Sequence, residues 1–139
     1  MRNRRGVTLV LVIVLSATLM SLAVILSKIV YNSYATAELI SQREQAFWLA
    51  EAGIEAGKAK LAHNSLWYTD LPHYPEDDGR WLRQAAVGEK GFLPSGSFLT
   101  VREKDQPRFY SVGVCRQAKV VLKVEFKPVP FKTLLWTEI

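Results

Sequence analysis

The 139-residue chain has one cysteine, two histidines and no proline before Pro72. Each scarcity excludes something. A lone Cys115 makes no intramolecular disulfide, so the fold holds without a covalent staple. Cys115 is expected on an outward or edge side of its strand, as a small residue or as a link between chains. His63 and His73, with Asp70, Glu76, Asp77 and Asp78 nearby, match no metal-ligand spacing, because a site needs three or four convergent donors. Glu76-Asp77-Asp78-Gly79 reads instead as a solvated turn. There is no glycine-rich phosphate loop and no serine with a base partner. No catalytic residue, metal or cofactor is therefore expected. The missing prolines leave the N-terminal half free to run as helix.

The averages, a net charge of +5 and 49% hydrophobic residues, suit a small soluble domain, and they mislead. Of the 24 residues from Val7 to Val30, 18 are hydrophobic, against 49 of the 109 that follow. Arg2, Arg4 and Arg5 hold three of the five excess charges, so the rest of the chain carries only +2. Two materials are joined end to end: an apolar rod behind a basic leader, and one mixed domain of about 70–80 residues. That arrangement excludes a multi-domain enzyme, a collagen-like repeat and a disordered chain. From Val7 to Ser27, 21 residues pass without a charge, a proline or a glycine. About 20 apolar residues in a helix cross a bilayer core. Lys28 then marks the far interface by snorkelling, and the arginines hold the near side in the cytoplasm. Membrane lipid is thus a partner of the rod, and the C-terminal domain faces away from the cytoplasm. A cleaved secretory signal ending at Ala35-Thr36-Ala37 and a plain signal anchor are the alternatives.

Arg4-Arg5-Gly6-Val7-Thr8-Leu9 joins the basic leader through a glycine directly to the apolar helix. The junction resembles the leader of type IV pilins and type II secretion pseudopilins. In those proteins a membrane-embedded prepilin peptidase cuts after the glycine and methylates the new terminal amine. The resemblance implies a cut between Gly6 and Val7. Val7 stands where the family usually has phenylalanine or methionine. Leu11 stands where most members carry a glutamate that pairs with a neighbouring subunit's amino terminus; K-type pseudopilins and PilX-like minor pilins also lack it. Gln45-Ala46-Phe47-Trp48-Leu49-Ala50-Glu51-Ala52-Gly53-Ile54-Glu55 is similar to the end of the N-terminal region in the same two groups. The two motifs together span residues 4–55, about 40% of the chain. The resemblance implies a minor pilin or pseudopilin in the inner membrane. Its partners would be other pilins, met through the N-terminal helix, and an assembly platform. Cell adhesion, DNA uptake or type II secretion would be the setting. The rival reading is a bitopic, membrane-anchored binding or sensor protein that never polymerises.

The helix continues beyond the membrane. Residues 29–62 are rich in helix formers, and apolar or small residues recur at Ala46, Ala50, Ile54, Gly57 and Leu61, with Gly53 beside them. That spacing is one helix stripe. It predicts one helix from Val7 to Ala62, roughly 84 Å long at 1.5 Å per residue, whose outer half, 31–62, is amphipathic. Residues 63–96 read as a connection with one short helix around Arg80–Val87. The aromatics Trp67, Tyr68, Tyr74 and Trp81 within it would pin the loop to the core; the competing reading is an exposed adhesive or partner patch. Phe98–Lys104, a run at Tyr110, Val112 and Val114, and Ala118–Lys127 alternate as strands. They predict an antiparallel meander whose apolar face lies on the Ala50–Leu61 stripe. The tail Phe131–Ile139, after Pro128 and Pro130, either adds an edge strand or docks on a neighbour. The expected fold is α+β and pilin-like. The leader is 1–6, the membrane half of the helix 7–30, and the sheet with its tail 97–139. Lys119, Lys123 and Lys127 share a strand face with Glu125, which reads as a solvated outer face. By resemblance to minor pilins of DNA-uptake systems, the competing reading is a DNA-contacting face.

Overall fold

A computed structural model describes residues 4–69, 79–84, 87–127 and 132–139. The protein is α+β. One long N-terminal helix, α1 (Arg4–His63), packs against a five-stranded antiparallel sheet. The strands β1 (Glu89–Leu93), β2 (Gly96–Val101), β3 (Arg108–Cys115), β4 (Ala118–Lys127) and β5 (Lys132–Glu138) follow one another in space as in sequence. The chain divides into two compact units, Met1–Glu38 and Leu39–Ile139.

In the first unit α1 is long and apolar enough to cross a membrane. Its large apolar side chains from Val7 to Val30 are all more than half exposed. The hydroxyls that interrupt this run are satisfied within the helix. Ser16 donates to the Ile13 carbonyl at 2.9 Å, Thr18 to Leu15 at 2.8 Å, Ser21 to Thr18 at 2.9 Å and Ser27 to Ala23 at 2.9 Å. Back-bonding of this kind removes most of the cost of a polar atom among apolar ones.

In the second unit the helix buries Ala46, Leu49, Ala50, Ile54 and Leu61 against Phe109, Cys115, Val120, Leu122, Val124 and Phe126 of the sheet. The helix ends where the Asn64 carboxamide oxygen accepts from the Leu66 N–H at 3.0 Å. Lys60 and His63 then place basic groups in its last turn, the favourable sign for a helix C-terminus.

The structure departs from expectation in three places. Glu89–Leu93, inside the stretch expected to be a connection, is an edge strand paired with β2 around Pro94-Ser95. Its alternation is hidden by Gly91, over which the Phe98 ring folds from the neighbouring strand. The tail, by contrast, takes the first of its two expected places, an edge strand paired with β4 through a bulge between Glu125 and Phe126. The Arg80–Arg83 segment is a single 3-10 turn, entered through Gly79 at φ 77°, a backbone state that glycine adopts without strain. On the outer side of the sheet Lys119 and Lys127 are exposed, but an unexpected second core lies beside them. Leu82, Val101, Tyr110, Val112 and Val121 are buried together, with Trp81, Leu99, Val114 and Ile139 packed on them. Tyr110, Val112 and Val114 therefore point away from α1, and β3 meets the helix with Phe109, Ser111, Gly113 and Cys115. Alternation fixes which residues share a face but not which face the helix covers. Tyr74, Pro72, Pro75, Pro128 and Pro130 lie outside the described residues.

Ser111 shows what the close approach costs. It is fully buried, and its Oγ has no hydrogen-bond partner among the described residues. A Cβ on Gly53 would collide with that oxygen. Because an unpaired buried hydroxyl costs about 1–3 kcal/mol, Ser111→Ala is expected to stabilise the protein by about 1 kcal/mol. Denaturant midpoints of the full chain in detergent measure it, and a lower midpoint for the variant would refute the orphan assignment.

Candidate functional site

The residues singled out by motif fall on three parts of the molecule: the start of α1, its stripe under the sheet, and the outer strand face. Gly6 lies within α1, exposed, and a Cβ there would meet nothing within 4 Å. Val7 and Leu11 are 66% and 60% exposed. Arg4 and Arg5 belong to the helix, and Arg2 lies outside the described residues.

The Ala46–Leu61 stripe is covered by the chain's own sheet. Ala46 and Ala50 are fully buried, Ile54 2% and Leu61 4% exposed. Gly113 of β3 sits so close that a Cβ on it would collide with the Ala46 carbonyl oxygen and lie 2.5 Å from the Ala50 nitrogen. One turn on, a Cβ at Gly53 would lie 2.9 Å from the Phe98 ring. A further turn on, one at Gly57 would lie 2.7 Å from the Phe109 ring. The Ala-Glu-Ala-Gly motif thus has a packing reason: at Ala50 the helix backbone meets the Gly113 backbone, and at Gly53 the missing side chain makes room for Phe98 and Ser111. Gly113 was the partner that motif reasoning missed. Its signal was a glycine inside an alternating strand pattern, which marks close approach of another backbone.

Beside the stripe the helix surface is aromatic. Phe47 is half-buried and lies 5.9 Å from the Trp48 ring, edge to face, and 5.8 Å from Trp136 of β5. Trp48 remains 66% exposed and Trp136 43%. Arg43 on the helix donates to Glu138 of β5 at 2.6 Å. The hydrogen bond and charge of that carboxylate raise the Arg43 guanidinium above its ordinary value.

The loop after α1 is held by Arg102, which is 5% exposed. Its guanidinium donates to the Trp67 carbonyl and to the Ser65 carbonyl at 3.0 Å, and stacks 5.1 Å from the Phe126 ring. Its main chain exchanges bonds with Thr69: the Thr69 N–H donates to the Arg102 carbonyl at 2.9 Å, and the Arg102 N–H to Thr69 Oγ1 at 3.1 Å. Burial lowers the Arg102 pKa, and the charge of Asp105 opposes that shift. Trp67 is half-buried, its indole N–H donating to Glu89 at 2.8 Å, while the Lys60 ammonium pairs with the same carboxylate 5.3 Å above the ring. Tyr68, 46% exposed, is not packed away like Trp67 and Trp81. Arg102→Met is expected to leave the Ser65 and Trp67 carbonyls without a donor and to cost about 2–3 kcal/mol. Tryptophan emission during denaturation checks it; an unchanged midpoint would remove Arg102 from this role.

The three lysines differ from one another. Lys119 donates to the Arg83 carbonyl at 2.9 Å, so it ties the 3-10 turn to β4. Lys123 is half-buried and pairs with Glu125 at 2.6 Å, holding that carboxyl below its ordinary value by hydrogen bond and charge, with a smaller contribution from Arg108. Lys127 is exposed, opposite Lys132 of β5. Cys115 is 2% exposed on the helix side of β3, its thiol donating to Gln45 Oε1 at 3.1 Å. This corrects the expected outward or edge position: a short side chain is what the helix admits there. Among the described residues no cluster of three His, Cys, Asp or Glu is placed to hold a metal. His73, Asp70 and Glu76–Asp78 lie outside them. The architecture is pilin-like: a long apolar N-terminal helix whose second part carries an antiparallel sheet. The chain matches no protein-family model, no curated protein and no solved structure.

Proposed function

We propose that the protein is a minor pilin or pseudopilin, a structural subunit rather than an enzyme. A prepilin peptidase processes it between Gly6 and Val7; it waits in the inner membrane and is then taken into a type IV pilus or type II secretion pseudopilus. The observation that carries this reading is the unbroken run of α1 from Arg4 to His63. An apolar stretch whose large side chains are more than half exposed passes without interruption into a stretch buried under a sheet. A free-standing sensor needs an anchor, but it does not need the anchor to continue as the core helix of its domain. Continuity also speaks against signal-peptide removal at Ala37. Ala35-Thr36-Ala37 lies in the middle of α1, with Thr36 donating to the Asn32 carbonyl at 2.9 Å, whereas Gly6 lies in its first turn, where helix ends fray.

Leu11 refines the role. A carboxylate at this depth costs a few kcal/mol until paired, which favours its recruitment against a neighbour's amine. Leucine carries neither the cost nor the attraction, which suits a subunit that starts or caps a filament better than one added repeatedly along it. Other minor pilins and the assembly platform are the proposed partners. The mass of the protein recovered from membranes tests the proposal. A chain beginning at Val7 with one added methyl group is expected; an intact Met1, or a start at Glu38, would refute it.

A further inference from the structure

Lys28 is the first charged side chain after the arginine leader, and the helix around it offers no counter-charge. Val24 and Ile25 lie one turn before it, Tyr31 and Asn32 one turn after, and the next carboxylate, Glu38, is ten residues away, about 15 Å of helix rise. Met20, Val24, Ser27, Lys28, Tyr31 and Asn32 line one shallow groove along α1. The groove changes character along its length. Its Met20–Val24 end is aliphatic. At the other end stand an ammonium, a phenol 73% exposed and a carboxamide. Ser27 is not among the free donors, because its hydroxyl is bonded to the Ala23 carbonyl.

We propose that this groove binds one phospholipid of net negative charge, in the leaflet opposite the arginine leader. Its phosphate sits on the Lys28 ammonium, with the Tyr31 hydroxyl and the Asn32 amide as further donors, and an acyl chain lies along Val24 and Met20. The proposal rests on the membrane-spanning reading of α1. Charge complementarity identifies the occupant. A lone cation at the hydrocarbon edge is stabilised by a phosphate at headgroup depth, and tyrosine prefers the same depth. A free phosphate would leave the aliphatic half of the groove uncovered. A zwitterionic lipid brings a second cation toward Lys28.

The test uses the full chain in nanodiscs of equal phosphatidylglycerol and phosphatidylcholine, with the lipids retained on mild detergent release identified by mass spectrometry. Wild-type protein is expected to retain phosphatidylglycerol preferentially. Lys28→Gln should lower that preference about fivefold, the ratio for one lysine against an anionic surface, and Lys28→Arg should preserve it. Equal preference in wild type and Lys28→Gln would overturn the site and assign the selectivity to the leader arginines. Loss of preference in Lys28→Arg as well would overturn it as a charge-recognition site. If the chain fails to enter nanodiscs at all, the membrane-spanning reading falls with it. Lys28 is exposed, so circular dichroism of the variants should show unchanged helix.

Discussion

Gly113→Ala is expected to cost more than about 3 kcal/mol, although alanine is ordinarily the better strand residue by roughly 0.5–1 kcal/mol. The reason is what the new methyl group meets. Its nearest neighbours are the Ala46 carbonyl oxygen and the Ala50 nitrogen, both main-chain atoms of α1, so no rotamer change can make room. The helix must lift from β3, and lifting it opens the contacts of Leu49 and Ile54 with the rest of the helix-side cluster. Overpacking usually costs about 1–3 kcal/mol when side chains can yield; a backbone-on-backbone clash lies at or above that range. Gly57→Ala supplies the internal comparison. Its methyl would meet the Phe109 ring at 2.7 Å and the Thr100 methyl at 3.1 Å, side chains that can shift, and glycine inside a helix already costs about 1 kcal/mol. The expected order of stability is wild type near Gly57→Ala, with Gly113→Ala far below. Denaturation of the three full-length proteins in one detergent gives that order. A Gly113→Ala protein as stable as wild type would mean that helix and strand are farther apart than described.

The same contact explains what the sequence disclosed and what it concealed. The helix was legible because its causes are local: no proline before Pro72, hydroxyls that bond back one turn, and a stripe at Ala46, Ala50, Ile54 and Leu61. Three strands were legible from alternation. The face turned to the helix was legible for β4, whose Val120, Leu122, Val124 and Phe126 meet it, but not for β3, because a close-packed β3 needs its smallest residues, Ser111 and Gly113, on the helix side. Tyr110, Val112 and Val114 go to the other, while Phe109 stays on the helix side, over Gly57. A rule that sends apolar residues toward the helix picks the wrong side in that case. β1 was hidden because Gly91 makes way for the Phe98 ring, and β5 was legible only as one of two alternatives because its bulge at Leu134 breaks the period of two. The second core depends on Leu82, in a stretch with no periodicity. Its burial follows from tertiary packing alone. At the candidate site, the junction at Gly6 and the small-residue motif were visible in one dimension. The counterpart at Gly113 needed three.

Gly6→Leu is expected to abolish maturation while leaving the fold untouched. Wild-type protein should lose the six residues Met1–Gly6 and appear partly in material sheared from cells. The variant should keep its full mass and remain wholly in the membrane fraction. A Cβ at Gly6 meets nothing within 4 Å, and leucine favours a helix over glycine by about 0.8 kcal/mol or somewhat more. Folding is therefore not impaired, and any loss of processing must arise where a peptidase engages the chain. Bulk at Gly6 obstructs the close approach of a protease to the scissile carbonyl and strengthens the helix that has to open there. Unprocessed protein also keeps Arg4 and Arg5 beside the apolar run, and charged side chains resist leaving the cytoplasmic interface for a bilayer or filament core. The block on processing is thus a block on assembly. Melting curves of the two proteins in detergent should coincide. A variant that is still shortened to Val7, or one that reaches the sheared fraction at full length, would break the link between this junction and assembly.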